Sequence, residues 1–159
     1  MMLSVVVPCH NEEGNIPFIL EKFLRVHEQQ SFELILVNNA STDGTGRVLV
    51  DALQKKEHAF ARIVDEPTSG YGRAILAGLR SAKGDVLAWT HADLQTDPAD
   101  VLRAFALFKK QPNPDQIVVK GKRIQRSFGQ WAFTFCMSFI ASVILRGRYF
   151  DINAQPKIF

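Results

Sequence analysis

His91, Asp93 and Gln95 alternate just past an apolar run, Val86-Leu87-Ala88-Trp89, that emerges from a Gly84-Asp85 turn. Strand side chains two positions apart share a face, so nitrogen and oxygen donors converge where this strand stops. In an open α/β sheet, ligands bind just outside the carboxyl ends of strands. Oxygen donors suit Mg2+ or Mn2+, whose shells are completed by water and substrate phosphates. The imidazole of His91 is a less natural ligand for Mg2+ than a carboxylate, because hard cations favour oxygen. Ligation of Mn2+, a hydrogen bond to phosphate and simple space-filling are all open to it. The chemistry in view is the joint binding of a metal ion and a diphosphate.

Three more segments are polar beyond what a plain core requires: Pro8-Cys9-His10-Asn11-Glu12-Glu13, Asn38-Asn39-Ala40-Ser41-Thr42-Asp43-Gly44-Thr45 and Ser69-Gly70-Tyr71-Gly72-Arg73. Each taken alone reads equally well as a turn or a helix cap. The Gly70/Gly72 loop lacks the Lys-Ser/Thr of a P-loop and the third glycine of a dinucleotide fingerprint, which argues against ATPase and dehydrogenase chemistry.

The elements that must position these segments are legible from periodicity. Strands are expected at Leu3–Val7, Leu34–Val37, Ala61–Val64, Val86–Trp89 and Ile117–Val119. Helices are expected over Ile16–Glu28, from caps at Ser41–Asp43 through Leu53, and over Arg73–Ser81. Another follows Thr96 or Asp97, with Pro98 in its first turn. Strands alternating with helices imply βαβ units, a mainly parallel central sheet and helices on both faces.

The 159 residues, 47% hydrophobic and 22% charged, suit one soluble domain. The apolar start, Val5 to Val7, is too short for a signal peptide, and no segment reaches the roughly 20 apolar residues of a spanning helix. Cys9 and Cys136 fit no zinc spacing and point to a reducing cytoplasm. Charge is unevenly spread: residues 1–115 carry 12 Lys/Arg against 15 Asp/Glu, and residues 116–159 carry 7 against 1. Such asymmetry suggests an anionic partner for the C-terminal part. There, Lys120, Lys122, Arg123 and Arg126 precede an apolar run from Trp131 to Leu145, followed by Arg146 and Arg148. As a helix this run extends roughly 22 Å, short of the ~30 Å hydrocarbon core. Lying at a membrane interface with basic flanks is the leading reading, and a buried core or homo-oligomer helix is the other. Nucleic acid is disfavoured, because the basic segment is not interleaved with stacking aromatics.

Taken in order, these segments resemble the GT-A glycosyltransferases of family 2, particularly the dolichyl-phosphate mannose synthase-like branch that glycosylates polyprenyl phosphates. Val5-Val6-Val7-Pro8-Cys9-His10-Asn11-Glu12 matches the opening strand and Pro-x-x-Asn-Glu. Val37-Asn38-Asn39-Ala40-Ser41-Thr42-Asp43-Gly44-Thr45 stands in place of Val-Asp-Asp-x-Ser-x-Asp-Gly-Thr, and Gly84 through Gln95 in place of Gly-Asp-x-x-x-x-x-Asp-Ala-Asp-Leu-Gln. The resemblance implies a Rossmann-like nucleotide-diphospho-sugar transferase fold. It implies a nucleotide-sugar pocket at Pro8, His10, Glu12, Asn39 and Asp93, and a Mg2+ or Mn2+ site at His91, Asp93 and Gln95. It also implies acceptor-phosphate binding by Lys122, Arg123 and Arg126, with Asp93, Arg123 and Asp151 as catalytic residues. The sequence departs from the pattern at His91, which replaces the first metal-motif Asp, at Asn38 and Asn39, which replace both Asp of Val-Asp-Asp, and after Asp151, where Ile152-Asn153-Ala154-Gln155-Pro156-Lys157 departs from Asp-x-x-Ser/Thr-Gly-Phe.

The expected organisation is a nucleotide-sugar-binding core at 1–119 and a basic, apolar acceptor and membrane-interface segment at 120–159. That segment ends where family members normally continue. The expected function is inverting transfer of a sugar from a nucleotide diphosphate sugar to a polyprenyl phosphate, by a cytoplasmic protein peripheral to the inner face of the membrane. The alternatives are transfer to a saccharide hydroxyl in surface-polysaccharide synthesis, or a catalytically weak nucleotide- or lipid-binding relic.

Overall fold

The run Leu-Ser-Val-Val-Val-Pro-Cys forms a strand, β1 (Leu3–Cys9), buried along its length except for half-buried Pro8. A continuous run rich in β-branched residues does this at the centre of a parallel sheet, where both faces are covered. The structure is a computed structural model, describing residues 1–94, 96–113, 116–122, 128–144, 146–147, 150–151 and 154–159.

After β1 come α1 (Ile16–His27), β2 (Glu33–Asn39), α2 (Thr45–Leu53), a 3-10 turn (Lys56–His58), β3 (Ala61–Glu66), α3 (Tyr71–Ser81) and β4 (Val86–Trp89). The chain continues with α4 (Pro98–Lys109), β5 (Val119–Lys120), α5 (Phe128–Ile144) and β6 (Lys157–Ile158). The sheet order is β3-β2-β1-β4-β6-β5. The strands β1 to β4 pair in parallel, whereas β6 is antiparallel to both β4 and β5. Connectivity diverges from β1 toward β2 on one side and β4 on the other, which opens a crevice at their carboxyl ends.

The two-residue alternation of the strands splits the core. Val5 and Val7 of β1 and Leu34 and Leu36 of β2 pack with Leu20 and Phe23 of α1, Leu49 of α2 and Phe105 of α4. On the opposite face, Val6, Ile35 and Val37 pack against Ala74 of α3. Each fully buried large apolar side chain contributes about 1.5–3 kcal/mol. The α3 helix sits close because Gly78 faces the sheet; a Cβ there would lie 3.0 Å from Val37 Cγ2 and collide with Val6 Cγ1. The α4 start is as expected: Asp97 caps it by accepting the Ala99 N–H at 2.9 Å, and Pro98 follows.

Some boundaries differ from expectation. The α2 N-cap is Gly44, with Asp43 accepting the Thr45 N–H at 3.0 Å, and α3 starts at Tyr71. The fifth strand is Val119–Lys120 instead of Ile117–Val119, because its partner β6 spans only two residues: Val119 pairs with Ile158 and Lys120 with Lys157. The 119/120 boundary therefore falls inside β5. Through β6 the 120–159 segment shares the sheet of the core. Cys9 and Cys136 are free thiols. Burial pushes the Cys9 thiol up to about 12, which leaves it protonated and inert.

Candidate functional site

Three strand ends turn sharply through non-glycine residues at positive φ: Asn11 (57°) after β1, Ala40 (47°) after β2 and Leu94 (60°) after β4. For Ala and Leu this conformation costs about 1–2 kcal/mol each. Such strain persists where the surroundings over-determine it, and it clusters at ligand sites. Here the surroundings are hydrogen bonds between the first two ends. Asn11 Oδ1 accepts the Thr42 N–H (2.8 Å), and the Glu12 N–H donates to Thr45 Oγ1 (2.7 Å). Glu12 Oε2 accepts from Asn15 Nδ2 (2.6 Å), which holds its carboxylate at the start of α1.

His10 Nδ1 lies 2.6 Å from the Asn39 carbonyl. A carbonyl can only accept, so Nδ1 carries the proton. The Asn39 side chain, 3% exposed, is turned into the protein. Its Nδ2 donates to the Thr68 carbonyl (2.8 Å), and its Oδ1 accepts the Gly70 N–H (2.9 Å). Asn39 thus pins the loop that leads into α3, where Gly70 adopts φ 152°. Its neighbour Asn38 donates to Asp65 Oδ1 at 2.9 Å, a position where an Asp would face like charge.

That loop delivers Tyr71, whose ring stacks on His91 with centroids 5.3 Å apart and planes 14° from parallel. Its hydroxyl lies 3.4 Å from His91 Nδ1. Burial, helped by the Asp93 carboxylate, pushes the Tyr71 hydroxyl up to about 12.

These groups enclose one cavity of about 240 Å³, lined by Pro8, His10, Glu12 and Asn39, by Ser69, Gly70 and Tyr71, and by His91, Ala92 and Asp93. Six positions singled out from the sequence therefore meet at one place. Gln95, Arg123 and Arg126 lie outside the described residues. Lys122 is exposed and Asp151 half-buried at φ 46°; neither is among the residues lining the cavity. Ser69, Gly70 and Tyr71, from a segment noted in the sequence but given no role there, also line the cavity, as does Ala92. Their signal was a glycine-rich turn immediately before a helix. A second cavity, about 470 Å³, lies between α1, α2 and the 3-10 turn and touches none of the strand ends.

Among the described residues no three His, Cys, Asp or Glu side chains gather as a metal cage. His91 and Asp93 supply an imidazole and a carboxylate at the cavity. That pair fits a divalent cation whose other positions belong to water and to a phosphate-bearing substrate.

The α5 helix is oriented against its composition. Thr134 and Ser138 are buried, while Phe133, Phe135, Phe139, Ile140, Val143 and Ile144 are each at least half exposed. Among the described residues, no helix is long and apolar enough to cross a membrane.

Comparison with known proteins gives this arrangement a family. The chain is 36% identical over 103 residues to undecaprenyl-phosphate 4-deoxy-4-formamido-L-arabinose transferase of Photorhabdus laumondii, covering 64% of this chain and 32% of that protein. It therefore spans about a third of the length of the curated relatives it matches. A mannosyltransferase from Pyrobaculum calidifontis, solved in complex with GDP-Man and Mn2+, is 28% identical, with a TM-score of 0.57 over 70% of this chain and 33% of that one. Glucosyl-3-phosphoglycerate synthase from Mycobacterium tuberculosis, solved with Mn2+, UDP-glucose and phosphoglyceric acid, shares the fold. Its TM-score is 0.74 at 18% identity, over 99% of this chain and 56% of that one. The model of glycosyl transferase family 2 matches residues 4–156, and the chain belongs to that family.

Proposed function

We propose that this protein transfers a sugar from a nucleoside diphosphate sugar to a polyprenyl phosphate, with the strand-end cavity as its donor site. The observation that carries the reading is the meeting of the β1, β2 and β4 ends with the α3 loop around one cavity. Pro8, His10, Glu12 and Asn39 form its nucleotide side, and His91 and Asp93 its diphosphate side, where Gln95 would add an oxygen ligand. His91 and Asp93 would hold a Mg2+ or Mn2+, which would offset charge on the departing diphosphate. Asp93 holds a fixed carboxylate there, and Tyr71 holds the His91 ring in place.

Lys122, Arg123 and Arg126 orient the acceptor phosphate, and Asp151 lies on the acceptor side. A phosphate oxygen of the acceptor attacks the anomeric carbon as the bond from that carbon to the diphosphate oxygen breaks. The nucleoside diphosphate leaves and the configuration inverts. The acceptor is already anionic, so no strong general base is required. The acceptor class is supported by the undecaprenyl-phosphate transferases among the relatives. It is also supported by the exposed aromatic and aliphatic face of α5 between basic segments. We read this face as resting at the surface of an anionic bilayer, with the protein peripheral to the cytoplasmic leaflet.

The test is a panel of radiolabelled nucleotide sugars incubated with membranes and Mg2+ or Mn2+, followed by lipid extraction. Label in the lipid fraction is expected for one donor. Label confined to water-soluble saccharide would assign the acceptor as a sugar hydroxyl instead.

A further inference from the structure

The environment of His91 has a direction built into it. Gln155, just before β6, is satisfied when its amide nitrogen faces the Trp89 carbonyl (3.0 Å) and its oxygen faces the Trp89 indole N–H (3.2 Å). In that orientation the oxygen also faces the Tyr71 hydroxyl, 3.4 Å away. An amide oxygen only accepts, so the Tyr71 O–H donates to Gln155. The Tyr71 oxygen is then left to accept the Nδ1–H of His91 at 3.4 Å. A proton on Nδ1 puts the imidazole lone pair on Nε2. Both contacts are long, as is common before a ligand tightens a site. The 14° ring stack holds the imidazole plane independently of them.

We propose that Tyr71 and Gln155 are positioning residues that fix His91 as an Nε2 metal ligand beside Asp93, so that the cavity favours Mn2+ over Mg2+. The inference rests on the donor-site reading above and adds the cation to it. Mg2+ is a hard cation that holds to oxygen ligands, whereas a first-row transition cation accepts imidazole. Outer partners that orient a ligating histidine set both its tautomer and its affinity. One of these partners, Gln155, follows α5 in the chain, so the arrangement also ties the metal site to the segment proposed to meet the lipid.

The experiment uses the full 159-residue chain. Mn2+ and Mg2+ are titrated in the presence of UDP, GDP, CDP, ADP or dTDP. Free Mn2+ is followed by electron paramagnetic resonance and bound Mn2+ by electron spin echo. Tighter binding of Mn2+ than of Mg2+ is expected, with a 14N modulation from directly coordinated imidazole. Tyr71→Phe keeps the ring and removes the hydroxyl. It should weaken Mn2+ binding roughly tenfold or more. His91→Asp should abolish the modulation and remove the preference for Mn2+. Mn2+ and nucleotide bound with no 14N modulation, or wild-type Mn2+ affinity in Tyr71→Phe, overturns this inference and leaves the donor site standing. No nucleotide binding under any condition overturns the donor-site reading and this inference together.

Discussion

Asn39 offers the sharpest test of how the cavity is built. Its family counterpart is an Asp, yet here both ends of the amide are committed to the backbone of the 68–70 loop. Asn39→Ala removes these two hydrogen bonds, and a longer one from Nδ2 to the Glu66 carbonyl (3.4 Å), and leaves the Thr68 carbonyl and the Gly70 N–H without them. A net hydrogen bond contributes about 0.5–1.5 kcal/mol, and a buried group left unpaired costs about 1–3 kcal/mol. Water from the adjacent cavity replaces part of what is lost, so the expected destabilisation is about 1–3 kcal/mol. At about 2–4 °C per kcal/mol for a chain of this size, the melting temperature should fall by roughly 2–12 °C.

Asn39→Asp is more discriminating. A carboxylate can still accept from Gly70 N–H, but it would set an ionised oxygen against the Thr68 carbonyl, 2.8 Å from the present Nδ2. The penalty at neutral pH should match or exceed that of Asn39→Ala. Protonation restores a donor toward Thr68, so the folded state raises the pKa of this Asp above its ordinary value of about 3.9. The deficit relative to wild type should therefore be full at neutral pH and shrink as pH falls through that raised value. Urea denaturation followed by Trp fluorescence at several pH values measures it. An Asn39→Asp variant as stable as wild type at neutral pH would refute the assignment of Asn39 as the pin of the loop.

Asp93→Ala should reduce sugar transfer by at least 100-fold in the lipid-extraction assay with circular dichroism unchanged, in line with roughly 10²–10³ for loss of one charge-stabilising group. Gly78→Ala should destabilise by about 1–3 kcal/mol in urea, because its methyl group has no room between α3 and Val6. Burial pushes the His27 imidazole, stacked on Phe60 at 4.3 Å, below its ordinary value. The unfolded chain then takes up the proton first, so stability is complete above about pH 6.5 and declines as pH falls through it. His27→Phe should flatten that part of the urea-midpoint profile. Phe139→Asp with Ile140→Asp should abolish co-sedimentation with anionic vesicles while preserving nucleotide binding, and undiminished sedimentation would count against α5 as the membrane face.

The sequence by itself determined the alternation of strands and helices, the parallel core and the strand ends that carry the site. These follow from short-range patterns: the continuous apolar run of β1, the spacing of Ile19 and Phe23 on α1, and the Asp97-Pro98 cap of α4, although Phe18 and Leu24, expected on the same α1 face, are exposed and half-buried. Hydrophobic period and cap chemistry act within a few residues, so they can be read along the chain. Only the tertiary structure decided the rest. The two-residue strand β6 has no local signal, because it exists through pairing with β4 across a separation of 68 residues, Trp89 to Lys157. The inward turn of Asn39 depends on a loop 29 residues away, and the contact of Gln155 with Tyr71 spans 84 residues. The orientation of α5 was hidden for a different reason. A helix apolar nearly all round has no preferred face, so packing alone turned Thr134 and Ser138 inward and left Phe133, Phe135 and Phe139 outside. Composition announced which groups the site would contain. Contacts distant in sequence decided which way each one points.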